Sequence, residues 1–407
     1  MCYSIGHMLR TVTGQNLSAQ QFVERLQNRD GEVQSKMFSM MANLRGSKEY
    51  FAKLGMDIKW MIKQLGPPTL FLTCSTAEWF SQPLLDHLRI INKDVPNIDN
   101  MTPAELCCMD PVTVSMHFQQ KWSAIFSKLI KDKSTPLFSE VEDHFWRIEY
   151  QSRGAPHVHC ILWIKNAPIL GKNTMEEVQD YISIICTCAM PNADTSPTLH
   201  KLVQQFQVHK YNKYCTKSNK SRAVFYKKCH FGFPRPATSE LKINDVIVCM
   251  AISKNNKPRK RLYHLSRNDS EQYINDYSPA LLLANQANVD IQYIGHLGSR
   301  LPYYITDYIT KHELSEQDEM WQDIFTSSKS LGANAMSFLM KSIKNRQDGA
   351  NEAADRLLGH KLHSKSRQLR FADLAPVDRA KRVLKPAKEL ETIAQKNPDL
   401  CEIFQPH

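Results

Sequence analysis

The chain has 407 residues, 42% of them hydrophobic, and carries a formal net charge of +11 at pH 7. This apolar content excludes an intrinsically disordered chain and is enough for two or three domains with their own cores. The charge, with a pI near 9.0, predicts a polyanionic partner such as nucleic acid. Because the chain opens on MCYSIGHMLR, without the apolar core of a signal peptide, its eleven cysteines predict a reducing intracellular compartment. No stretch is apolar for the roughly 18 residues that a membrane span needs, so we expect no membrane contact.

The first part of the chain changes from helical to strand-like patterns. Residues 1–66 have helical periodicity: SAQQFVERLQN opens on a serine suited to an N-cap, and FAKLGMDIKWMIKQLG ends at Gly66 and Pro67. The short apolar run PTLFLTCS at 68–75 predicts a buried strand. Residues 110–131 return to the 3.6-residue period and predict another helix.

The middle of the chain predicts a hairpin followed by helices. Residues 144–164 predict two strands joined by a turn at SRGAP, where Gly and Pro interrupt the apolar pattern. Two helices are predicted next, one in TMEEVQDYISIICTCAM, with Thr174 and Glu177 as a capping box, and one in SPTLHKLVQQFQVHKY. YHLSRND and VDIQYIG are strand-like, and LPYYITDYITKHE at 301–313 has helical spacing.

These patterns predict an α+β fold with three regions. A helical region covers 1–66, and a core with a His/Cys-containing insertion at about 200–240 covers 67–313. A mostly helical region with a strand-like SRQLRF covers 314–407. The core is expected to be an antiparallel sheet with the hairpin in it.

Two histidines, His157 and His159, stand one residue apart on the second strand of the predicted hairpin. Residues i and i+2 of a strand share a face, so the two imidazoles can bind one divalent ion or form a hydrogen-bonded pair. Glu149 and Gln151 share a face of the preceding strand, and pairing across the turn could bring either one beside the imidazoles. Two histidines and one oxygen ligand leave coordination positions open, which suits Mg²⁺ or Mn²⁺ acting on a phosphoryl oxygen. If Glu149 instead pairs with a neighbouring arginine, this site is lost.

A second candidate group is the run PYYITDYITK. On a helix Tyr304 and Tyr308 share a face, and Lys311 follows on the same side, whereas Tyr303 lies off that face and is taken as structural. A phenol has a pKa near 10, so its attack on a phosphodiester needs a metal-polarised phosphate or a nearby cation, which Lys311 would supply. Aromatic residues at this spacing also fit a packed core.

The order of FLTCS, HVH and the paired tyrosines resembles that of HUH endonucleases, which nick single-stranded DNA and stay attached through a phosphotyrosine. The resemblance is closer to the N-terminal Rep region of Helitron transposases. Its landmarks run in the family's order from about residue 37 to 385: QLGPPTLFLTCS, RIEYQSRGAPHVHCILW, CHFGFPRP, PYYITDYITK and NEAADRLLGHKLHSKSR. The resemblance implies an antiparallel-sheet HUH core of the Rep/relaxase type, helical N- and C-terminal regions, and a nuclear enzyme acting on single-stranded DNA at transposon ends and target sites.

The resemblance also implies roles for individual residues. By matching positions, His157 and His159 are similar to the family's metal-binding pair. Tyr304 and Tyr308 are similar to its two nucleophilic tyrosines. Similar viral Rep nucleases carry a carboxylate on the strand before the histidines, which favours Glu149 over Gln151 as the third ligand.

The resemblance raises a separate question of structural zinc. Similar family members have a His/Cys cluster in this region, and three ligands match it here: His209, Cys215 and Cys229. Tyr211 stands where a second histidine is expected, so His230 or His200 would have to complete the four ligands that structural Zn²⁺ requires.

The basic loop KPRKR is a candidate DNA contact, with four cations that could neutralise phosphates: Lys257, Arg259, Lys260 and Arg261. A solvated surface or a nuclear import signal is the alternative. No G-x-x-x-x-G-K-[ST] loop occurs, so no helicase domain is predicted, and we expect the chain to be part of a longer helicase-containing polypeptide or a nuclease-only derivative.

Two functions of different classes follow from these patterns. The first is a metal-dependent single-stranded DNA endonuclease and strand transferase that forms a 5′-phosphotyrosine and a free 3′-hydroxyl. The second is a catalytically inactive, transposon-derived DNA-binding module that could contain zinc. An RNA-binding protein that uses the basic loops and aromatic residues is a further alternative.

Overall fold

The computed structural model describes residues 42, 48–134, 136–150, 154–211, 215, 229, 231–244, 262–296 and 349–368. All of these except Gln368 lie in the first of the two compact units into which the chain divides, residues 1–367. The predicted helices at 18–28 and 301–313 lie outside the described residues. None of the described helices is long and apolar enough to cross a membrane.

The described residues form eight α-helices and seven strands. The helices are α1 (Lys48–Leu65), α2 (Gln82–Ile91), α3 (Pro103–Met109), α4 (Pro111–Ile125), α5 (Met175–Ile185), α6 (Pro197–Leu202), α7 (Pro279–Asn285) and α8 (Ala350–Leu357). The strands are β1 (Leu70–Ser75), β2 (Val141–Tyr150), β3 (Pro156–Ile164), β4 (Lys242–Ile243), β5 (Tyr263–His264), β6 (Val289–Tyr293) and β7 (His363–Lys365). The predicted α+β class is confirmed.

Five strands form one antiparallel sheet in the order β6-β1-β3-β2-β7, and β4 pairs with β5 in a separate two-stranded sheet. The predicted hairpin of β2 and β3 is confirmed, and Gly154 at its turn has the positive φ of 79° that favours glycine. β3 is the central strand. Its register places His159 opposite Thr73 of β1 and Arg147 of β2.

Each face of the sheet is buried by different helices. On one face the main core joins alternate residues of β1, β2, β3 and β6 to α4 and α7. On the other face α1 packs four residues of its apolar stripe against the sheet: Leu54, Ile58, Met61 and Ile62. They meet a patch formed by Phe71, Phe145, Ile161 and Trp163. The four residues of α1 recur at helical spacing, so the helical periodicity predicted for this segment corresponds to the buried face of α1.

The alternation along β3 divides its α1 face into an apolar half and a polar half. Residues two apart point to the same side. On β3 the α1 face carries apolar Ile161 and Trp163 in one half and His157 and His159 in the other. α1 is followed directly by Gly66, whose φ is 85° and whose carbonyl accepts a hydrogen bond from the Trp163 indole (3.0 Å). The polar half of this face is the location of the candidate site.

The termini of the helices follow their local sequence. The predicted capping box of α5 is confirmed: Thr174 Oγ1 accepts from Glu177 N (3.2 Å), and Glu177 Oε2 accepts from Thr174 N (2.9 Å). The helices α2, α3 and α7 were not predicted; they have ten residues or fewer, too few for clear periodicity, and begin with a proline in their first turn.

The C-terminal strand lies earlier than predicted. SRQLRF at 366–371 was the expected strand; residues 366–368 are not part of a strand, and 369–371 lie outside the described residues. The observed strand β7 is His363–Lys365, which pairs with β2. Beyond β7 the Ser366 backbone N–H still donates to the His144 carbonyl (3.0 Å), and the side chains of Ser366 and Arg367 both bond the Asp143 carboxylate, Ser366 Oγ at 2.7 Å and Arg367 Nε at 2.7 Å.

Candidate functional site

Three potential metal ligands converge on the polar half of the α1 face. His159 Nε2 is 2.9 Å from His157 Nε2 and 2.8 Å from Glu149 Oε2, and His157 Nε2 is 3.4 Å from the same Glu149 oxygen. Pairing of β2 with β3 produces this group, because it sets Glu149 opposite His157. The two imidazoles are almost fully buried, whereas 34% of the Glu149 side chain is exposed.

The donor set fits a divalent cation. Three electron-rich atoms this close repel one another unless a proton or a cation lies between them. Around an octahedral Mg²⁺ with bonds of 2.0 to 2.1 Å, neighbouring ligand atoms are roughly 2.9 Å apart, which is close to two of the three separations here. A proton shared within a hydrogen-bonded triad gives similar distances.

Neighbouring side chains orient the His159 ring. His159 Nδ1 lies 3.2 Å from Thr73 Oγ1, and it would carry the proton and donate to that oxygen when Nε2 binds a metal. The ring also stacks on Phe71, with centroids 5.7 Å apart and planes 12° apart. His157 Nδ1 is buried and has no hydrogen-bond partner among the described residues.

The electrostatics keep this group ready to bind a cation. Burial raises the pKa of Glu149, but the hydrogen bonds from His157 and His159 outweigh it and hold that pKa well below its ordinary value. Burial lowers the pKa of His159, although the bond to Glu149 acts in the opposite direction. An ionised carboxylate beside a neutral imidazole is the form that coordinates a metal.

A second group of ligands lies in the predicted insertion. The ligand atoms of His209, Cys215 and Cys229 all lie within 4.8 Å of one another, and His209 Nε2 is 3.3 Å from Cys229 Sγ. In a tetrahedral zinc site a nitrogen and a sulfur ligand are separated by roughly 3.5 Å. The donor set therefore fits Zn²⁺, with one ligand still required.

Two side chains considered with the His209 group, His200 and Tyr211, make other contacts. His200 is not part of this group, and its Nδ1 lies 2.7 Å from the Pro191 carbonyl oxygen. Tyr211 faces the His209 ring edge-on and donates its hydroxyl proton to the carbonyl of Phe233 (3.1 Å). Tyr211 therefore supports the site through packing.

A buried charge network holds the wall of this second group. Phe233 stacks on His209 with centroids 4.4 Å apart, and the Arg235 guanidinium lies 4.5 Å from the centroid of the Phe233 ring. Arg235 and Arg267 both bond the buried carboxylate of Asp276, at 2.5 and 2.9 Å. Burial, with the charge of Arg235, lowers the pKa of His209, which favours the neutral imidazole.

The remaining predicted site residues lie outside the described residues: Gln151, His230, Lys257, Arg259, Lys260, Arg261, Tyr304, Tyr308 and Lys311. Their roles stay predictions. Thr73 had no predicted role, although it lies in the landmark FLTCS. Its alternation with buried Leu72 and Cys74 is the signal that could have placed its side chain on the site face.

Comparison with known families finds a match in the first part of the chain. Residues 6–162 match the model of the Helitron helicase-like domain at the N-terminus. The match supports a relation to the Helitron family. It contains all three ligands of the first group as well as Thr73, and it suggests a DNA-related function. The search of curated proteins found no match.

Proposed function

We propose that this Helitron-related protein is a metal-dependent endonuclease and strand transferase that acts on single-stranded DNA. The observation that carries the proposal is the convergence of Glu149, His157 and His159, whose ligand atoms lie 2.8 to 3.4 Å apart on an antiparallel sheet. Three protein ligands leave positions open for a substrate oxygen, unlike a closed structural site. The family match adds an independent reason to expect DNA as the substrate.

The residues of the site divide the work of binding. Glu149 supplies the negative charge, His157 and His159 supply neutral nitrogens, and Thr73 fixes the orientation of the His159 ring. A divalent ion held by the three ligands would polarise the scissile phosphate. The exposed edge of the group is at Glu149, so we expect the phosphate to approach from that side.

The covalent step is assigned to the two predicted nucleophiles. The hydroxyl oxygen of Tyr304 or Tyr308 attacks phosphorus in line, the tyrosine O–P bond forms, and the bond from phosphorus to the 3′-oxygen breaks. The tyrosine hydroxyl gives up its proton to solvent as it attacks, with Lys311 stabilising the phenolate, and the departing 3′-oxygen takes up a proton from solvent, so the number of protons is unchanged. Because the phosphodiester energy is kept in the 5′-phosphotyrosine, a DNA 3′-hydroxyl can reverse the step and join strands.

The test is the formation of a covalent adduct. Wild-type protein is incubated with Mn²⁺ and a pool of single-stranded oligonucleotides, and denaturing electrophoresis should show protein bound to DNA. His157→Ala with His159→Ala should abolish the adduct while leaving much of the DNA binding, since affinity comes chiefly from phosphates and base stacking. Tyr304→Phe with Tyr308→Phe should also abolish it, and unchanged adduct formation in either double variant would contradict the assignment.

The basic loop is proposed as a DNA-binding segment. Replacing its four cations, Lys257, Arg259, Lys260 and Arg261, with Ala should weaken binding of a single strand. The slope of its salt dependence should flatten by up to about 0.7 for each phosphate that the loop no longer neutralises. An unchanged salt slope would leave this loop as a solvated surface or a nuclear import signal. Nuclear localisation and a longer helicase-containing polypeptide remain proposals that rest on the family resemblance.

The alternative function is an inactive, transposon-derived DNA-binding module. The His209 group is compatible with it, because a clustered His and two Cys fit a structural Zn²⁺, which a DNA-binding module can hold whether or not it cleaves DNA. The two functions separate in one experiment: an inactive module binds single-stranded DNA and zinc but forms no adduct with Mn²⁺ under any condition. We propose structural zinc here under either function.

A further inference from the structure

Exposed aromatic side chains lie at the end of the sheet that carries the candidate metal site. β1 ends at Ser75, which is the register partner of His157. Three residues further on, the single-turn 3₁₀ helix Glu78–Phe80 presents Trp79 and Phe80, whose exposed fractions are 42% and 65%. The length of the intervening chain limits the Cα distance from Trp79 to His157 to less than about 20 Å.

A third ring fixes this group to the same strand end. The ring of Phe206 meets that of Phe80 edge-to-face, with centroids 5.9 Å apart and planes 80° apart. The carbonyl of Phe206 accepts from Asn288 Nδ2 (2.9 Å), and the Asn288 carbonyl accepts from the backbone N–H of Ser75 (3.0 Å). We call Trp79, Phe80 and Phe206 the aromatic platform.

The sequence around Phe206 carries positive charge, which suits a polyanion. The segment that carries Phe206, residues 195–239, contains no aspartate or glutamate. In the described part of this segment Lys201 and Lys210 are exposed, five and four residues from Phe206 in the chain. The one carboxylate of the adjacent turn, that of Glu78, accepts the hydroxyl proton of Thr76. Exposed aromatic rings together with cations are the combination by which proteins bind single strands.

We propose that the aromatic platform stacks unpaired bases of the DNA strand whose phosphate lies at the Glu149, His157 and His159 site. The inference rests on the proposed function and adds a second contact to it. Stacking accepts any base because every base has a π-face, so the platform would recognise unpaired DNA rather than a sequence. Paired bases in a duplex cannot present their faces to it, which would make the platform a selector for single strands.

The test separates base stacking from phosphate contact. A fluorescent oligothymidylate and an abasic oligonucleotide of equal length are titrated with protein in EDTA, which prevents cleavage. Trp79→Ala with Phe80→Ala should weaken binding of the oligothymidylate by about 5- to 100-fold for each base no longer stacked. The abasic strand should bind wild type and variant alike. Trp79→Tyr, which keeps an aromatic face, should bind the oligothymidylate nearly as wild type does.

The controls come from other exposed apolar side chains. Ile184→Ala with Ile90→Ala removes side chains that are 83% and 69% exposed and should leave both affinities unchanged. Thermal melting checks folding, and Phe80→Ser serves as a milder single variant. Unchanged oligothymidylate affinity in the double platform variant, or an equal loss for the abasic strand, would overturn the proposal. An unpaired RNA strand of the same length should lose affinity by a similar factor, because its bases present the same π-faces.

The two proposals fail in different ways. If the nuclease function is wrong, wild-type protein forms no adduct with Mn²⁺, whatever the platform does in EDTA. If only the platform is wrong, adduct formation persists and the platform variant binds oligothymidylate as tightly as wild type. The measurement in EDTA therefore tests the platform without reference to catalysis.

Discussion

Removing the Thr73 hydroxyl tests the metal site through a residue that is not a ligand. Thr73 Oγ1 lies 3.2 Å from His159 Nδ1, and valine keeps the shape of threonine while it deletes this acceptor. We expect Thr73→Val to lower the affinity for Mn²⁺ by about 10- to 100-fold, the usual effect of losing a group that orients a ligand ring. The lower limit is the better expectation, since 3.2 Å is long for an N–H···O bond. A tenfold loss corresponds to about 1.4 kcal/mol of binding free energy.

The assay is calorimetric titration of Mn²⁺, with nicking measured over the same range of Mn²⁺. If Thr73 only positions His159, nicking by Thr73→Val should recover at saturating Mn²⁺, and Thr73→Ser should behave nearly as wild type. Thr69→Val is the matched control, because Thr69 Oγ1 accepts from Ile164 N (3.0 Å) on the same pair of strands, away from the ligands. It should lower stability without changing Mn²⁺ affinity. Wild-type Mn²⁺ affinity in Thr73→Val would refute the reasoning.

Three further predictions concern stability and zinc. Asp355→Ala should lower the free energy of unfolding in urea by about 3 kcal/mol or more, because this fully buried carboxylate accepts hydrogen bonds from four side chains. Leu357→Ala, which changes an exposed residue of the same helix, should alter that free energy little. Burial raises the pKa of Asp143, but the bonds from Arg367 and Ser366 outweigh it and lower that pKa below its ordinary value. The carboxylate therefore contributes to stability above its ordinary pKa, and this contribution is lost as the pH falls toward the lower pKa of the folded state. Asp143→Asn should weaken the dependence of the melting temperature on pH in the acid range, and an unaltered dependence would contradict this. Cys215→Ser should reduce the zinc content measured by elemental analysis and lower the melting temperature, whereas exposed Cys108→Ser should do neither.

The hairpin and its ligands could be predicted because the signals are local. Alternation with period 2 puts His157 and His159 on one face, and a turn at Gly154 returns the chain antiparallel, so Glu149 reaches the same face. The buried stripe of α1 was predictable for the same reason, since the 3.6-residue period sets it from sequence alone.

Long-range neighbours could not be predicted from such local signals. Thr73 reaches His159 only because β1 pairs with β3, 86 residues away in the chain, and no pattern within β1 specifies that partner. Asp355 is a stronger case, because a charged residue on a helix normally faces water. Here its carboxylate is buried by Ser115 and Gln119 of α4 and by Tyr150 of β2. Such a position depends on the packing of three distant segments.

The three candidate ligands are buried to different extents. α1 packs on Phe71 and Ile161, and Phe71 in turn stacks on His159, which is only 2% exposed. Glu149 is 34% exposed. Low local dielectric around the histidines would strengthen the attraction of a cation, while the exposed Glu149 would leave room for a substrate oxygen. β1 ends at Ser75, opposite His157, and the chain continues into Trp79 and Phe80. Under the two proposals, a strand whose phosphate reaches Glu149 therefore has its neighbouring unpaired bases within reach of the aromatic platform.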